Sequence, residues 1–400
     1  MEGQSSATYR RSVVFMLLLI HGVIRVAVVS QLIEVVEKIA PSYLRYEKDR
    51  IGLQVGNPNN LVDRILVTLE VTGEVIQEAR DKKVQLIITH HPLIFQSLDR
   101  VLASDHIGGL VTSLIKYDVS LIAAHTNLDR AREGVSDALA HALGLEDIKV
   151  LYPASDVHMF KLVVFVPKED VQAMISALGN AGGGIIGNYS HCSFRSEGIG
   201  TFYPMVGARP HLGKIGELNQ VDEYRLEMLV TPDRLDGVIQ TMLEVHPYEE
   251  VAYDVYEVMN PPAGVGFGRV GNLVEPLTLH SCVALWSEKL GSNLRVLGNW
   301  DAKIKRVAVC GGSGGDLIRA AKSAKADVFV TGDVKYHTAH DAKAMGLALI
   351  DAGHAETEKL IIPEFAAKIQ NQISSLGLEA EVLISEIDTN PWNKEQYGRA

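Results

Sequence analysis

VQLIITHHP, residues 84–92, is a short apolar run that closes on two histidines and a proline. A nearly continuous run of this length, rich in β-branched side chains, is how a strand buried on both faces of a parallel sheet reads. Three other runs end the same way. VSLIAA (119–124) leads into His125 and Asp129, DVFV (327–330) into Gly332, Asp333 and His337, and LALI (347–350) into Asp351 and His354. In open α/β sheets ligands bind outside the carboxyl ends of the strands. Histidines and carboxylates thus recur four times where such a sheet places its site.

Around these strands the chain alternates. SQLIEVVEKIAPSYL (30–44) reads as an amphipathic helix with Ser30 as N-cap and Pro41 as its stop. IGLQVGNP (51–58) is a turn-rich loop, RILVTLEV (64–71) a strand and EVIQEARDKK (74–83) a helix. Between about 155 and 258 the order becomes βαβ…βαβ, with strands at MFKLVVFVP (159–167), YRLEMLVTP (224–232) and VAYDVYEV (251–258). That order suggests a ferredoxin-like unit, and Pro261-Pro262-Ala263-Gly264 marks its exit. Strand, helix and strand resume through RVAVCGGSGGDLIRAAKSAKADVFVTGD (306–333). The expected fold is α/β: a discontinuous metal-binding domain, residues 28–154 and 261–400, with an inserted ferredoxin-like α+β domain at 155–260.

Residues 1–27 stand apart. Arg10-Arg11 precede SVVFMLLLIHGVI (12–24), which resembles a short signal-peptide core but lacks a small-x-small cleavage site and is too short to cross a bilayer. The expectation is a non-native or disordered extension ahead of a protein that starts near Val28 or Val29. A formal net charge of −11 with no basic stripe argues against nucleic acid as a partner. The three cysteines, Cys192, Cys282 and Cys310, are isolated and form no CxxC pair, which fits the cytoplasm and argues against a disulfide framework or a cysteine zinc site.

The individual residues carry alternatives. His90 and His91, turning out of the sheet at Pro92, are metal ligands or capping histidines. Asp129 is a ligand, with Thr126 and Asn127 to orient it, or the cap of a helix near Arg132. His354 and Glu358, four apart, share one face of a helix starting at Gly353, or form an exposed pair. Asp333, Lys335 and His337 are ligands or proton-transfer groups, with His337 the catalytic acid/base candidate. Glu70 and Asp49 point at the same cleft. The glycines of Gly311-Gly312-Ser313-Gly314-Gly315 cradle phosphate or make a tight turn. The glycine run at 311–315 carries neither GxGxxG nor the P-loop pattern, and HExxH is absent from the chain, which leaves a dinucleotide fingerprint at that turn, a P-loop and zincin proteolysis without support.

Taken together, IITHHPLIF, AAHTNLD, GVGFGRVG, GDVKYHTA, DAGHAETE and SEIDTNPW, with SQLIEVVEKIAP and IGLQVGNP, resemble the NIF-three-like dinuclear-metal family, also called GTP cyclohydrolase 1 type 2-like. GGGIIGNYSHCSF, YRLEMLV and HPYEEVAYDVY look like the PII/CutA-like insert of its long bacterial members. The resemblance implies two divalent ions per chain, of zinc, iron, manganese or nickel type, on His90, His91, Asp129, His354 and Glu358, with Glu358 bridging. It also implies a homohexameric ring, a possible nucleotide substrate and no membrane partner. The chemistry expected is hydrolysis, of the GTP cyclohydrolase type or of a phosphoester, or else a non-enzymatic metal-binding or regulatory scaffold. Glu70 stands where the family has Asp, and Arg50 where it has Asn; neither is expected to touch a ligand. A regulatory small molecule is expected at Gly182–Gly187 or at the His246–Glu250 turn of the insert.

Overall fold

A computed structural model describes residues 25–291 and 293–392 of the chain. Its first segment runs β1 (Arg25–Val28), α1 (Val29–Ile39), β2 (Gly52–Val55), β3 (Leu61–Val62), β4 (Arg64–Thr68), α2 (Gly73–Asp81), β5 (Leu86–Thr89), α3 (His106–Lys116), β6 (Ser120–Ala123), α4 (Thr126–Arg130), α5 (Val135–Ala142) and β7 (Leu145–Pro153). The insert is β8 (Met159–Pro167), α6 (Val171–Asn180), β9 (Ser193–Phe202), β10 (Asn219–Val230), α7 (Leu235–Val245) and β11 (Tyr253–Val258). The return runs β12 (Gly266–Thr278), α8 (Leu279–Leu290), β13 (Arg295–Leu297), β14 (Lys303–Ser313), α9 (Ile318–Ser323), β15 (Val328–Gly332), α10 (Tyr336–Ala344), β16 (Ala348–Asp351), α11 (His354–Glu358), α12 (Ile361–Ser375), β17 (Leu378–Glu379) and β18 (Glu381–Ile384).

The discontinuous domain holds two main sheets. In the first, ordered β18-β4-β5-β6-β2, the first four strands are parallel and β2 closes the edge antiparallel. The segment around Gly52 is thus a strand, not only a loop. Helices α1 and α12 cover one face through Leu32, Val36, Phe365 and Ile369, and α2 and α3 the other through Val75, Ile76, Leu110 and Leu114. The second sheet, ordered β13-β16-β15-β14-β12-β7, is parallel only across β16, β15 and β14. It lies between α5 with α8 and α9 with α10. Helix α5 joins the two halves: Val135 and Ala138 pack in the first core, Leu139 and Ala140 in the second. Eight buried residues of β4 and β5, none of them charged, explain why these segments read as continuous apolar runs.

The insert's sheet is ordered β11-β8-β10-β9, all antiparallel, with α6 and α7 on one face. Its βαββαβ order with the first and third strands central is the ferredoxin-like arrangement. Its ends lie together, because Pro153 at the end of β7 pairs with Gly266 at the start of β12. Arg130 of α4 is buried and holds Asp156 in the incoming linker, and Arg132 donates to the Ala263 carbonyl in the outgoing one at 2.9 and 2.7 Å.

Two N-terminal expectations change. Residues 1–24 lie outside the described residues, but Arg25–Val28 form β1, parallel to β17 and antiparallel to β3, with Ala27 fully buried. Three residues assigned to the extension, Arg25, Val26 and Ala27, therefore belong to the fold. Ser30 is not the N-cap: Gln31 Oε1 accepts from the Val28 N–H at 3.1 Å, and the N–H groups of Val29 and Ser30 donate to the Asn60 and Pro58 carbonyls. The loop before β3 satisfies the helix end that a side chain was expected to cap.

Candidate metal centre

Four strand ends supply the site. His90 and His91 follow β5, His125 follows β6, Asp333 follows β15, and His354 follows β16 at the start of α11. Both main sheets thus aim their carboxyl ends at one place. Asp129 comes from the short helix α4, and Glu358 lies one turn beyond His354, as the i, i+4 spacing requires.

Glu358 stands at the centre and is almost fully buried. Its Oε1 is 3.8 Å from His90 Nε2, and its Oε2 is 3.1 Å from both His91 Nε2 and His354 Nε2. On the far side His90 Nε2 is 3.6 Å from Asp129 Oδ1. Three overlapping sets emerge, His90 with Asp129 and Glu358, His91 with His354 and Glu358, and His90 with His91 and His125, each with donor atoms within 4.8 Å of one another.

The polar groups are not satisfied among themselves. His90 Nε2, Asp129 Oδ1 and Glu358 Oε2 are buried without a hydrogen bond; the 3.1 Å contacts to Glu358 lack hydrogen-bond geometry. His91 Nε2 and His354 Nε2 face each other at 3.3 Å. Buried polar atoms left unpaired cost free energy. Each imidazole is meanwhile fixed from behind through Nδ1: His90 by the Ala124 carbonyl (2.9 Å), His91 by Glu70 (3.0 Å), His125 by Asp49 (2.9 Å) and His354 by Asp333 (2.7 Å). Nδ1–H donated outward leaves the Nε2 lone pair pointing inward, the tautomer that a metal-ligating histidine needs. The donor set is nitrogen and oxygen with no sulfur, which suits zinc, iron, manganese or nickel. The residues therefore fit divalent cations.

Charge balance agrees. Burial alone would neutralise Glu358, but the imidazoles of His354, His90 and His91 hold it well below the usual carboxylate range. Burial opposes a proton on His91, yet Glu358 and Glu70 outweigh it and hold that imidazole up at about 10. Glu358, against burial and with help from Asp333, holds His354 at about 9. Burial raises the Asp129 carboxyl. Protons on His91 and His354 thus offset a buried carboxylate that a divalent cation would otherwise neutralise.

A family model, DUF34/NIF3 (NGG1p interacting factor 3), matches residues 27–391. The chain belongs to the DUF34/NIF3 family. It is 44% identical to the GTP cyclohydrolase 1 type 2 homolog of Bacillus subtilis over 364 residues, 91% of this chain and 97% of that protein. The homolog of the same name from Mycobacterium tuberculosis is 37% identical over 371 residues, 91% of this chain and 96% of its own. The crystal structure of a Bacillus cereus protein related to NIF3 superposes with a TM-score of 0.83 at 40% identity, covering 92% of this chain and 99% of the other. Staphylococcus aureus SA1388 superposes at 0.73 with 30% identity, covering 92% and 98%.

The five residues expected as ligands come together in this family member. His337 does not join them. It lies on the exposed side of α10, its ring against Tyr336 with centroids 5.4 Å apart, and shares no hydrogen bond or ion pair with the cluster among the described residues. Lys335 precedes the same helix and is exposed. Thr126 and Asn127 do not orient Asp129; Thr126 bonds Asp49, and Asn127 bonds the Ala40 carbonyl at 2.6 Å. Asp129 sits inside α4 and caps no later helix. The expectation that Glu70 touches no ligand residue is overturned by its bond to His91. Asp49 holds His125 and Thr126 together, and those bonds depress its pKa despite burial. Three amides of the glycine-rich segment are taken up within the chain rather than presented to a phosphate, Gly311 by Ser136, Gly312 by Thr357 and Gly314 by Thr331. Instead it makes room. Gly312 has φ +61°, and a Cβ there would lie 2.1 Å from Glu358 Oε1.

Proposed function

We propose that this chain is a dinuclear-metal-dependent hydrolase, of GTP cyclohydrolase type, acting on a nucleotide. The observation that carries the reading is Glu358, which turns one oxygen toward His90 and the other toward His91 and His354. His90, Asp129 and Glu358 Oε1 would hold one ion, and His91, His354 and Glu358 Oε2 the other, with His125 at the edge of both. Divalent ions bound there supply Lewis acidity, acidifying water and polarising a substrate oxygen at neutral pH. The chain does the rest. Asp49, Glu70, Asp333 and the Ala124 carbonyl hold each imidazole in its ligating tautomer and raise its basicity. Asp333 and Glu70 remain partly exposed, with 57% and 44% of their side-chain surface open, so both carboxylates face solvent as well as the imidazoles they hold. Opening a guanine ring needs a proton delivered to a departing nitrogen. His337, four residues beyond Asp333 and exposed on α10, is the candidate for that step.

One observation favours a second reading, a metal-binding or regulatory scaffold without turnover. Three of the four glycine amides that would have gripped a triphosphate, those of Gly311, Gly312 and Gly314, are already bonded within the chain. The deciding measurement is GTP turnover with and without added metal, with Asp129→Ala as control. Metal-dependent turnover lost in Asp129→Ala is expected. Metal-loaded, folded protein that leaves GTP untouched overturns the cyclohydrolase reading, and release of p-nitrophenol from its phosphate ester would then favour a phosphoesterase. The proposal extends to a homohexameric ring, checked by light scattering, and to a cytoplasmic setting, which the unpaired Cys192, Cys282 and Cys310 suit. Among the described residues no helix is long and apolar enough to cross a membrane.

A further inference from the structure

The loop that follows His91 builds a rim on the metal centre. Leu93 is buried in the core under α2 and α3, Ile94 packs partly against that core, and Phe95 turns out, 59% exposed. The Phe95 ring nonetheless meets the site. It stands edge-to-face with the His125 imidazole, centroids 6.4 Å apart. Gln54 of β2 fixes the loop there, bonding Ile94 as a neighbouring strand would. Its Oε1 accepts from the Ile94 N–H at 3.0 Å and its Nε2 donates to the Ile94 carbonyl at 3.2 Å. The same Nε2 donates to the Arg50 carbonyl at 3.0 Å, so one amide ties the Phe95 loop to the Arg50 loop.

Arg50 completes the rim. Its N–H donates to Asp49 Oδ1 at 2.8 Å, the oxygen that also holds His125 Nδ1 at 2.9 Å. Its exposed guanidinium reaches the Ser97 hydroxyl, two positions beyond Phe95, at 3.4 Å, and forms no ion pair among the described residues. The adjacent carboxylate, Asp49, is buried and already bonded by His125, Thr126 and the Arg50 amide. An open aromatic ring and an unspent positive charge thus flank the same histidine. A single exposed apolar residue is ordinary; Phe95 differs because Gln54 fixes it beside a charge at the mouth of a site. An exposed ring face stacks on planar rings, and a guanidinium grips phosphate or carboxylate through two parallel bonds. Cations bound behind them would add to the pull on an anion.

We infer that Phe95 and Arg50 are the specificity-determining grip of the metal centre: Phe95 stacks on an aromatic or heteroaromatic ring of the substrate, and Arg50 pairs with an anionic group of the same molecule. The inference rests on the reading of the cluster as a metal centre acting on a nucleotide, and it names the side chains that select the ligand. An aliphatic anion lacks the stacked ring, and a neutral aromatic lacks the charge.

The test is isothermal titration of the full-length, zinc-loaded protein with phenylphosphonate, whose P–C bond resists hydrolysis. Methylphosphonate, which lacks the ring, and benzamide, which lacks the charge, are the counterparts. Phenylphosphonate should bind tighter than either by roughly tenfold or more, as one stacked ring or one charge-assisted contact implies. Phe95→Ala should erase the preference for phenylphosphonate over methylphosphonate, and Phe95→Tyr should keep it. Arg50→Gln should weaken both phosphonates by roughly tenfold, with metal per chain unchanged in all three variants. Equal affinity for the two phosphonates in the unaltered protein overturns the assignment, as does benzamide bound as tightly as phenylphosphonate. So does a ring preference that survives Phe95→Ala, an affinity unchanged in Arg50→Gln, or no binding up to ~10 mM. Break-up of the assembly by Phe95→Ala in light scattering overturns it too, the ring then being covered by a neighbouring copy. GTP turnover separates the two claims. Ring preference without turnover keeps the grip and sinks the hydrolase; turnover without ring preference does the reverse.

Discussion

Single residues at the metal centre have separable jobs, and Glu358 has the largest. It faces both sets of imidazoles, so Glu358→Gln should lose ions from both positions, read as metal per chain by elemental analysis; retention of two ions would end the bridging assignment. His90→Ala with His354→Ala removes one nitrogen from each side and should give the same loss. Gly312 is the less obvious test. Its left-handed φ and the contact a Cβ would make with Glu358 Oε1 both oppose substitution. Gly312→Ala should weaken metal binding and cost about 1–3 kcal/mol of stability, measured by urea unfolding of metal-free protein. Protons give an independent check. In the metal-free protein His91 and His354 are held protonated up to about 10 and about 9. Each entering cation must displace them, so binding should release protons at neutral pH, and affinity should rise as pH rises toward those values. Titration of zinc into weakly buffered protein should acidify the solution; an unchanged pH would contradict this charge balance.

At the scale of elements, the sequence was clearest where burial is complete. β5, β6, β15 and β16 are short runs buried on both faces, so their ends, and with them His90, His91, His125, Asp333 and His354, could be placed from the text alone. β9 could not: SFRSEGIGTF is exposed nearly throughout and has no alternation to read. The groups that hold the ligand histidines were hard to assign because their partners are far off in the chain, Glu70 by 21 positions from His91 and Asp49 by 76 from His125. The division of the metal domain into two sheets was hidden because β12 is broken by Gly266, Gly268 and Gly271, which weakens its strand pattern. β1 carries the prediction here. Its Ala27 is fully buried and its backbone pairs with β17 and β3. A chain beginning at Arg25 should melt with the full-length protein. One beginning at Val28 should lose roughly 1–2 kcal/mol through the buried side chain and the broken pairing. Equal melting of the two would show that β1 contributes nothing to stability.

For the whole molecule, the question is whether the insert is a separable body. None of the residues gathered at the metal centre lies within it, and its two ends meet where Pro153 pairs with Gly266. Closure by a short linker therefore requires little rearrangement. The linkers themselves are another matter. Arg130 is buried beside Asp129, and Asp156 is its carboxylate partner, while Phe267 stacks on the guanidinium at 5.2 Å. Replacing Met159–Val258 by a few Gly and Ser residues keeps Asp156 and should keep both fold and metal content. A wider deletion that also removes Asp156 leaves the Arg130 charge buried without its partner, which should cost about 2 kcal/mol after allowing for the exposure of Asp156. It should also loosen α4, and with it Asp129, so metal content should fall with it. The two deletion proteins, compared by melting temperature and metal per chain, separate the possibilities. If the narrow deletion loses metal while staying folded, the insert contributes to the site and the two bodies are one functional unit. If the wide deletion matches the narrow one, Arg130 does not couple the insert's linker to the metal centre.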